Sequence, residues 1–249
     1  MNTDNLISHN FFQQLIKDAE PFLKETKFSD KYIVDKNEIE MSDLEHYIHY
    51  VSFYNIHLFQ LCNQLERAVN LLSNFRTDDK NEIGWGHHLS YNIENFFIRL
   101  DSLYDRVLQL VNAIYNFGLT DNLVNKKSVT KKINAVDGYI ELNNSLEMLN
   151  KVLKNYSDEK RNIIVHRYSY FDQELDRIEM YYHPFYSKKI LEDKDIAENF
   201  KEVRKEELTF YLSKTKKEFT QINQICFEKL LVIFDALDKQ YSIMKLKLK

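Results

Sequence analysis

At 249 residues the chain is long enough for one well-filled core, or for one core with a sizeable insertion, and a single domain is the simpler expectation. Hydrophobic residues make up 44% of it and charged residues 29%, with only 4 glycines and 2 prolines, a shortage of turn-formers that argues against sandwiches and barrels and for helices. A net charge of -4 and a pI near 6.1 exclude coating of nucleic acid through bulk charge, so any such contact has to be local.

A short amphipathic helix is expected over residues 10–19, closed by Pro21. The first long helix opens at Ser42, with Glu45 three residues on as a capping box requires. Leu44, Tyr47, Ile48, Val51, Tyr54, Leu58, Leu61 and Leu65 recur at helical spacing and carry it to about Leu72. Gly84-Trp85-Gly86 punctuates the chain, and a second long helix runs from Leu89 through Phe96, Leu103 and Leu110 to a glycine stop at Gly118. A polar stretch, 121–132, leads to a third helix marked by Leu142, Leu146, Leu149, Val152 and Tyr156. Ser157-Asp158-Glu159 then reads as a new N-cap with an acidic first turn, which puts residues 160–167 at the start of a fourth helix.

From Tyr168 to about Glu202 the helical period fails, and Tyr170, Phe171, Ile178, Tyr181, Tyr182, His183-Pro184 and Phe185 suggest extended or irregular chain, such as a hairpin. The period returns over 206–244 through Leu208, Phe219, Cys226, Leu237 and Tyr241. The predicted architecture is all-α, an up-and-down helical bundle with a less regular insertion before its last long helix. Cys62 and Cys226 match neither a zinc spacing nor a disulfide framework, and both are expected as buried core thiols of a reducing interior. Residues 1–10 hold no charged region followed by an apolar stretch, and no run of 18 apolar residues occurs, so the expected location is cytoplasmic, away from membranes.

One segment carries a chemical grouping. In Arg161-Asn162-Ile163-Ile164-Val165-His166, Asn162 and His166 are four apart and share a helix face, while Ile163, Ile164 and Val165 are expected to supply the buried side. Arginine brings a permanent charge with forked donors, asparagine a neutral positioning amide, and histidine a proton acceptor or donor near neutral pH, a set suited to handling phosphate without metal. Lys151, Lys154, Lys160, Arg161 and Arg167 gather around the segment in an otherwise acidic chain, as they would if a phosphate backbone approached there. The plain alternative is a solvated helix end with His166 making a buried polar contact.

This segment resembles the motif of the HEPN superfamily, an Arg, usually followed by a polar residue, then a His after four to six intervening residues, on a helix of a small bundle. The resemblance covers residues 42–168 and 206–244 and leaves 1–41 as an N-terminal extension and 169–205 as an insertion within one domain. It implies a metal-independent endoribonuclease, with no cofactor, in which the ribose 2′-hydroxyl attacks its own phosphate. His166 would be general base or acid, Arg161 would hold the phosphorane charge, and Asn162 would orient phosphate or ribose, with Lys154, Lys160, Arg167 and Tyr168 binding substrate. It also implies a homodimer, because one imidazole does not readily serve both the 2′-hydroxyl and the leaving 5′-oxygen in one in-line step. Proteins of this kind often act as toxins or phage-defence effectors, which makes RNA and a cognate antitoxin the expected partners. The alternative that the same resemblance allows is a non-catalytic helical module that dimerises and binds RNA or protein.

Other groupings are weaker. His46, His49, Phe53 and His57 form one stripe of the first long helix, for which a polar or subunit-facing role is preferred to zinc because no carboxylate or cysteine completes a site. His87-His88 points two ways on a helix and reads as a helix start. The aromatic cluster from Tyr168 to Tyr186 could stack unpaired bases or pack the insertion onto the bundle. No nucleophile elbow, phosphate-binding glycine loop or paired metal carboxylates accompany these residues.

Overall fold

In the computed structural model the described residues are 2–23, 41–75, 84–136, 140–166, 170 and 172–249, without the side chains of Phe22, Leu23, Asp158, Glu159, His166, Pro184 and Lys194. Among them every regular element is helical: α1 (Thr3–Ile7), α2 (Asn10–Leu23), α3 (Asp43–Leu71), α4 (Trp85–Tyr115), α5 (Lys126–Asn134), α6 (Ile140–Leu153), α7 (Glu159–His166), α8 (Gln173–Tyr182), α9 (Pro184–Leu191) and α10 (Lys194–Lys247). The all-α expectation holds.

The long helices begin and end for local reasons. At the start of α3 the capping box is reciprocal: the Ser42 N–H donates to Glu45 (2.7 Å) and the Glu45 N–H donates to Ser42 Oγ (3.2 Å). At the end of α4 the stop is Asn116, with φ +51°, rather than Gly118. The N–H of Phe117 reaches the carbonyl of Asn112 (3.2 Å) and that of Asn116 reaches Ala113 (3.1 Å), the paired bonds of a Schellman motif that asparagine can support. Pro21 does not close α2 but lies inside its last turn, where little helix remains to be disrupted.

Two further expectations are corrected. Residues 173–191 are not extended: they form α8 and α9, and α10 starts at Lys194, well before residue 206. Asp172 caps α8 by accepting from the Glu174 N–H (2.8 Å), and His183 caps α9 by accepting from the Phe185 N–H (3.3 Å), with Pro184 at the first helical position, where it loses no hydrogen bond. Helices of 10 and 8 residues offer too few turns for an apolar rhythm to show among so many aromatics. Nor does Ser157-Asp158-Glu159 start a new helix. The chain runs from α6 through a π-helical turn, Lys154–Asp158, straight into α7.

The chain divides into two compact units. The first takes Met1–Asn63, Ser102–Leu153 and Gln224–Lys249; its core includes Phe11, Leu15, Val51, Leu58, Val107, Ile114, Leu146, Phe227 and Leu237, and both Cys62 and Cys226 are buried in it. Two buried hydroxyls there find partners, Tyr47 donating to the Ile114 carbonyl (2.8 Å) and Tyr241 to Asp18 (3.0 Å), whose carboxylate also pairs with Lys245. Burial pushes the Cys226 thiol up to about 12, which leaves it inert as a nucleophile.

The second unit takes Gln64–Asp101 and Lys154–Asn223. Leu65, Leu89, Phe96, Phe97, Leu100, Ile178, Phe219 and Ile222 fill it, with the Phe96 and Phe219 rings stacked at 3.7 Å. Full burial of each such side chain contributes about 1.5–3 kcal/mol. His88 donates to the Leu71 carbonyl (2.9 Å), tying the start of α4 to the end of α3, and Asn223 donates to the Leu65 carbonyl (3.0 Å). No described helix is long and apolar enough to cross a membrane.

Candidate functional site

The Arg-Asn-x3-His grouping read from the sequence lies on α7, inside the second unit. Because α7 continues from the π-helical turn, it has no free first turn of backbone N–H groups. Anion binding by a helix start, the usual benefit of such a position, is therefore not what this segment provides. Side chains have to supply the charge, and Arg161 supplies it.

Arg161 is held from two sides. Its Nε lies 3.3 Å from Oδ2 of Asp101 on α4, and its Nη1 donates to Oδ1 of Asn162 (3.2 Å). Arg161 and Asp101 are 35% and 34% exposed, so the pair is open to solvent and to a ligand. A guanidinium fixed through one edge keeps its charge while losing rotamer freedom. Asn162 is exposed beside it. His166 ends α7, four residues after Asn162, so the i, i+4 relation expected from the sequence holds along the backbone, and its side chain lies outside the described residues.

The apolar residues between them sit differently from expectation. Ile163 and Ile164 are half-buried and Val165 is 47% exposed, so these three do not form a buried side. An eight-residue helix flanked by a π turn presents only part of its circumference to its own unit.

Lys160, expected to bind substrate, pairs with Glu218 of α10 (3.3 Å), and its ammonium stands 4.3 Å over the Phe97 ring. Lys154 is exposed in the π turn. Arg167 and Tyr168 lie outside the described residues. Just beyond them the Tyr170 N–H donates to Glu94 of α4 (2.7 Å), and burial, then the Asp172 and Glu218 charges, push the Tyr170 hydroxyl up to about 12. Asp101, Glu94 and Glu218 are the residues that sequence reasoning missed. Nothing in their spacing marks them, because each meets α7 or the chain beyond it across 58 to 76 residues of sequence.

The other groupings resolve as packing or surface. Along α3 the rings of His46 and Tyr50 are parallel (6.2 Å) and those of Phe53 and His57 are edge-on (4.4 Å). Among the described residues no three or more His, Cys, Asp or Glu side chains gather as a metal would require. His87 reaches Glu179 of α8 (3.4 Å), whereas His88 stacks on Phe75 (4.3 Å), so the adjacent histidines do point apart at the start of α4. A groove of about 290 Å³ between α8 and α10 is lined by Glu174, Glu206 and Glu207 with Arg177 and Phe210, a charge balance that repels phosphate.

Of the aromatic cluster, Tyr181 packs on Phe200 (5.6 Å) and Tyr182 lies under Arg204 (5.1 Å), while Phe185 and Tyr186 remain exposed. Comparison with known proteins adds to this geometry. No curated protein and no solved structure matches the chain. The family model described as HEPN_Cthe2314-like HEPN matches residues 78–238, a span that includes α7 and residues 169–205 and leaves out the first 77 residues. With described elements that are all helical and an Arg-Asn-x3-His segment on α7, and matched over well more than half its length, the chain belongs to the Cthe2314-like HEPN family.

Proposed function

We infer that membership of this superfamily gives the chain a nuclease, RNA-related or toxin-like role in general. We propose that it is a metal-independent endoribonuclease acting by attack of a ribose 2′-hydroxyl on the adjacent phosphate, with RNA as substrate in the cytoplasm. The supporting observation is the fixed guanidinium of Arg161, oriented by Asp101 and Asn162 on a solvent-open edge of the helix that His166 ends. In this reading Arg161 carries the charge that grows on the phosphorane, Asn162 orients phosphate or ribose, and His166 moves the proton. Lys154, Lys160, Arg167 and Tyr168 attend the strand.

The reaction needs one proton taken from the 2′-oxygen and another given to the leaving 5′-oxygen, on opposite sides of phosphorus. A homodimer that faces two α7 helices across one cleft supplies two imidazoles for those tasks, and the exposed Val165 beside the motif suits a contact between copies. As a toxin-antitoxin or phage-defence effector, such an enzyme would be restrained by a cognate antitoxin.

Incubating pure protein with total RNA in EDTA tests the proposal. Wild type should leave ends with 2′,3′-cyclic phosphate, and His166→Ala should lower the rate by about 10²–10⁴-fold. RNA left equally intact by both proteins overturns catalysis.

A further inference from the structure

The sequence leaves the aromatic cluster after α7 with two readings, stacking of bases or packing, and the structure divides it. Tyr170, Tyr181 and Tyr182 pack or bond within the second unit, but Phe185 is 70% and Tyr186 51% exposed, both on α9. Their rings stand edge to face (5.5 Å), and Tyr186 also leans on His183 (5.4 Å), the residue that caps the helix. The two rings are therefore braced but uncovered, and they present two different planes.

Lys188 and Lys189 follow on the same helix, both exposed, and neither is in an ion pair among the described residues. That separates them from Lys160, Arg161, Arg177 and Lys214, each of which faces a carboxylate. Three or four residues along a helix is one turn, so Phe185 has Lys188 and Lys189 behind it and Tyr186 has Lys189. Each ring thus has a lysine about one turn along the helix. A single nucleic-acid strand offers the complementary repeat, a base face and then a phosphate. Glu192 and Asp193 close the patch at the far end of α9, limiting it to a short stretch of strand.

We propose that this face of α9, Phe185 and Tyr186 with Lys188 and Lys189, holds an unpaired segment of RNA, one base on each ring and the phosphates on the lysines. It rests on the ribonuclease reading above, because it presupposes RNA as the substrate. The patch belongs to the same compact unit as α7 and gives the enzyme a preference for single strands. Stacking accepts any base, so it selects for unpairing rather than for sequence.

The test uses the full chain carrying His166→Ala, so that bound RNA persists, and a fluorescent single-stranded 12-mer read by anisotropy, with a duplex of the same sequence alongside. Replacing Phe185 and Tyr186 by Ala should weaken single-strand binding by about five- to a hundredfold per ring and leave duplex binding unchanged. Lys188→Gln with Lys189→Gln should reduce the slope of log affinity against log salt by about 1.4. Circular dichroism confirms that the exposed substitutions leave the helices intact. Single-strand binding unaltered by the ring substitutions overturns the α9 surface while leaving the ribonuclease reading standing. If the ring substitutions instead break a self-associated form without touching RNA affinity, the surface joins two copies and the proposal is equally overturned. Failure of the His166→Ala protein to bind any RNA overturns both.

Discussion

In the proposed reaction Arg161 acts only with its guanidinium in one place, and Asp101 is one of the two residues that hold it there. Replacing Asp101 by Ala should cost little stability, about 0–1 kcal/mol for a pair roughly one-third exposed. It should nonetheless lower cleavage by about ten- to a hundredfold, because a misplaced charge near the phosphorane loses most of its effect. Cleavage at the wild-type rate would show that the pair is incidental. Histidine chemistry away from the motif has a different consequence. Burial, then the charge of His46, holds His49 below the ordinary histidine value of 6.5, and burial, then Arg106, does the same for His57. Above about pH 6.5 these imidazoles are neutral in folded and unfolded chains alike. Below it the unfolded chain binds protons that the folded chain refuses, so stability falls as pH drops through that window. Urea denaturation at pH 7.5 and 5.5 should show a smaller loss for His49→Gln/His57→Gln than for wild type, and equal losses would contradict the assignment.

At the scale of elements, the motif helix depends on what its neighbours allow. A π-helical turn absorbs one extra residue before α7, which lets Arg161 meet Asp101 on α4 while Lys160 meets Glu218 on α10. The start of α4 is fixed just as closely. A Cβ at Gly86 would lie 2.6 Å from Cα of Glu179, so the backbones of α4 and α8 meet where no larger residue fits. Gly86→Ala should therefore destabilise by about 1–3 kcal/mol, seen as a melting temperature lower by roughly 3–10 °C, despite alanine's better helix propensity. A higher melting temperature would mean that helix propensity outweighs the contact. The glycine was legible as punctuation in the sequence, but its reason, a helix arriving from nearly 100 residues away, was not.

For the whole molecule, the proposed reaction makes the dimer the catalytic unit. Wild-type chains mixed with a large excess of His166→Ala chains and allowed to exchange should lose activity per wild-type chain, because most would then pair with a partner lacking its imidazole. Activity per wild-type chain that stays constant through the mixing would assign the whole reaction to one protomer.

What the sequence determined by itself follows from local physics. Helical periodicity, the Ser42–Glu45 capping box, the burial of Cys62 and Cys226 and the Arg161-Asn162-His166 spacing all depend on residues a turn or two apart, and all reappear in the structure. The helical form of residues 173–191 was hidden because short helices rich in aromatics carry too little period to detect. Only the tertiary structure decided that α7 grows out of a π turn rather than from a capped start, and that Asp101 and Glu218 complete the motif's surroundings. Those depend on which helices lie side by side, a choice made by packing across long stretches of chain and written in no local pattern.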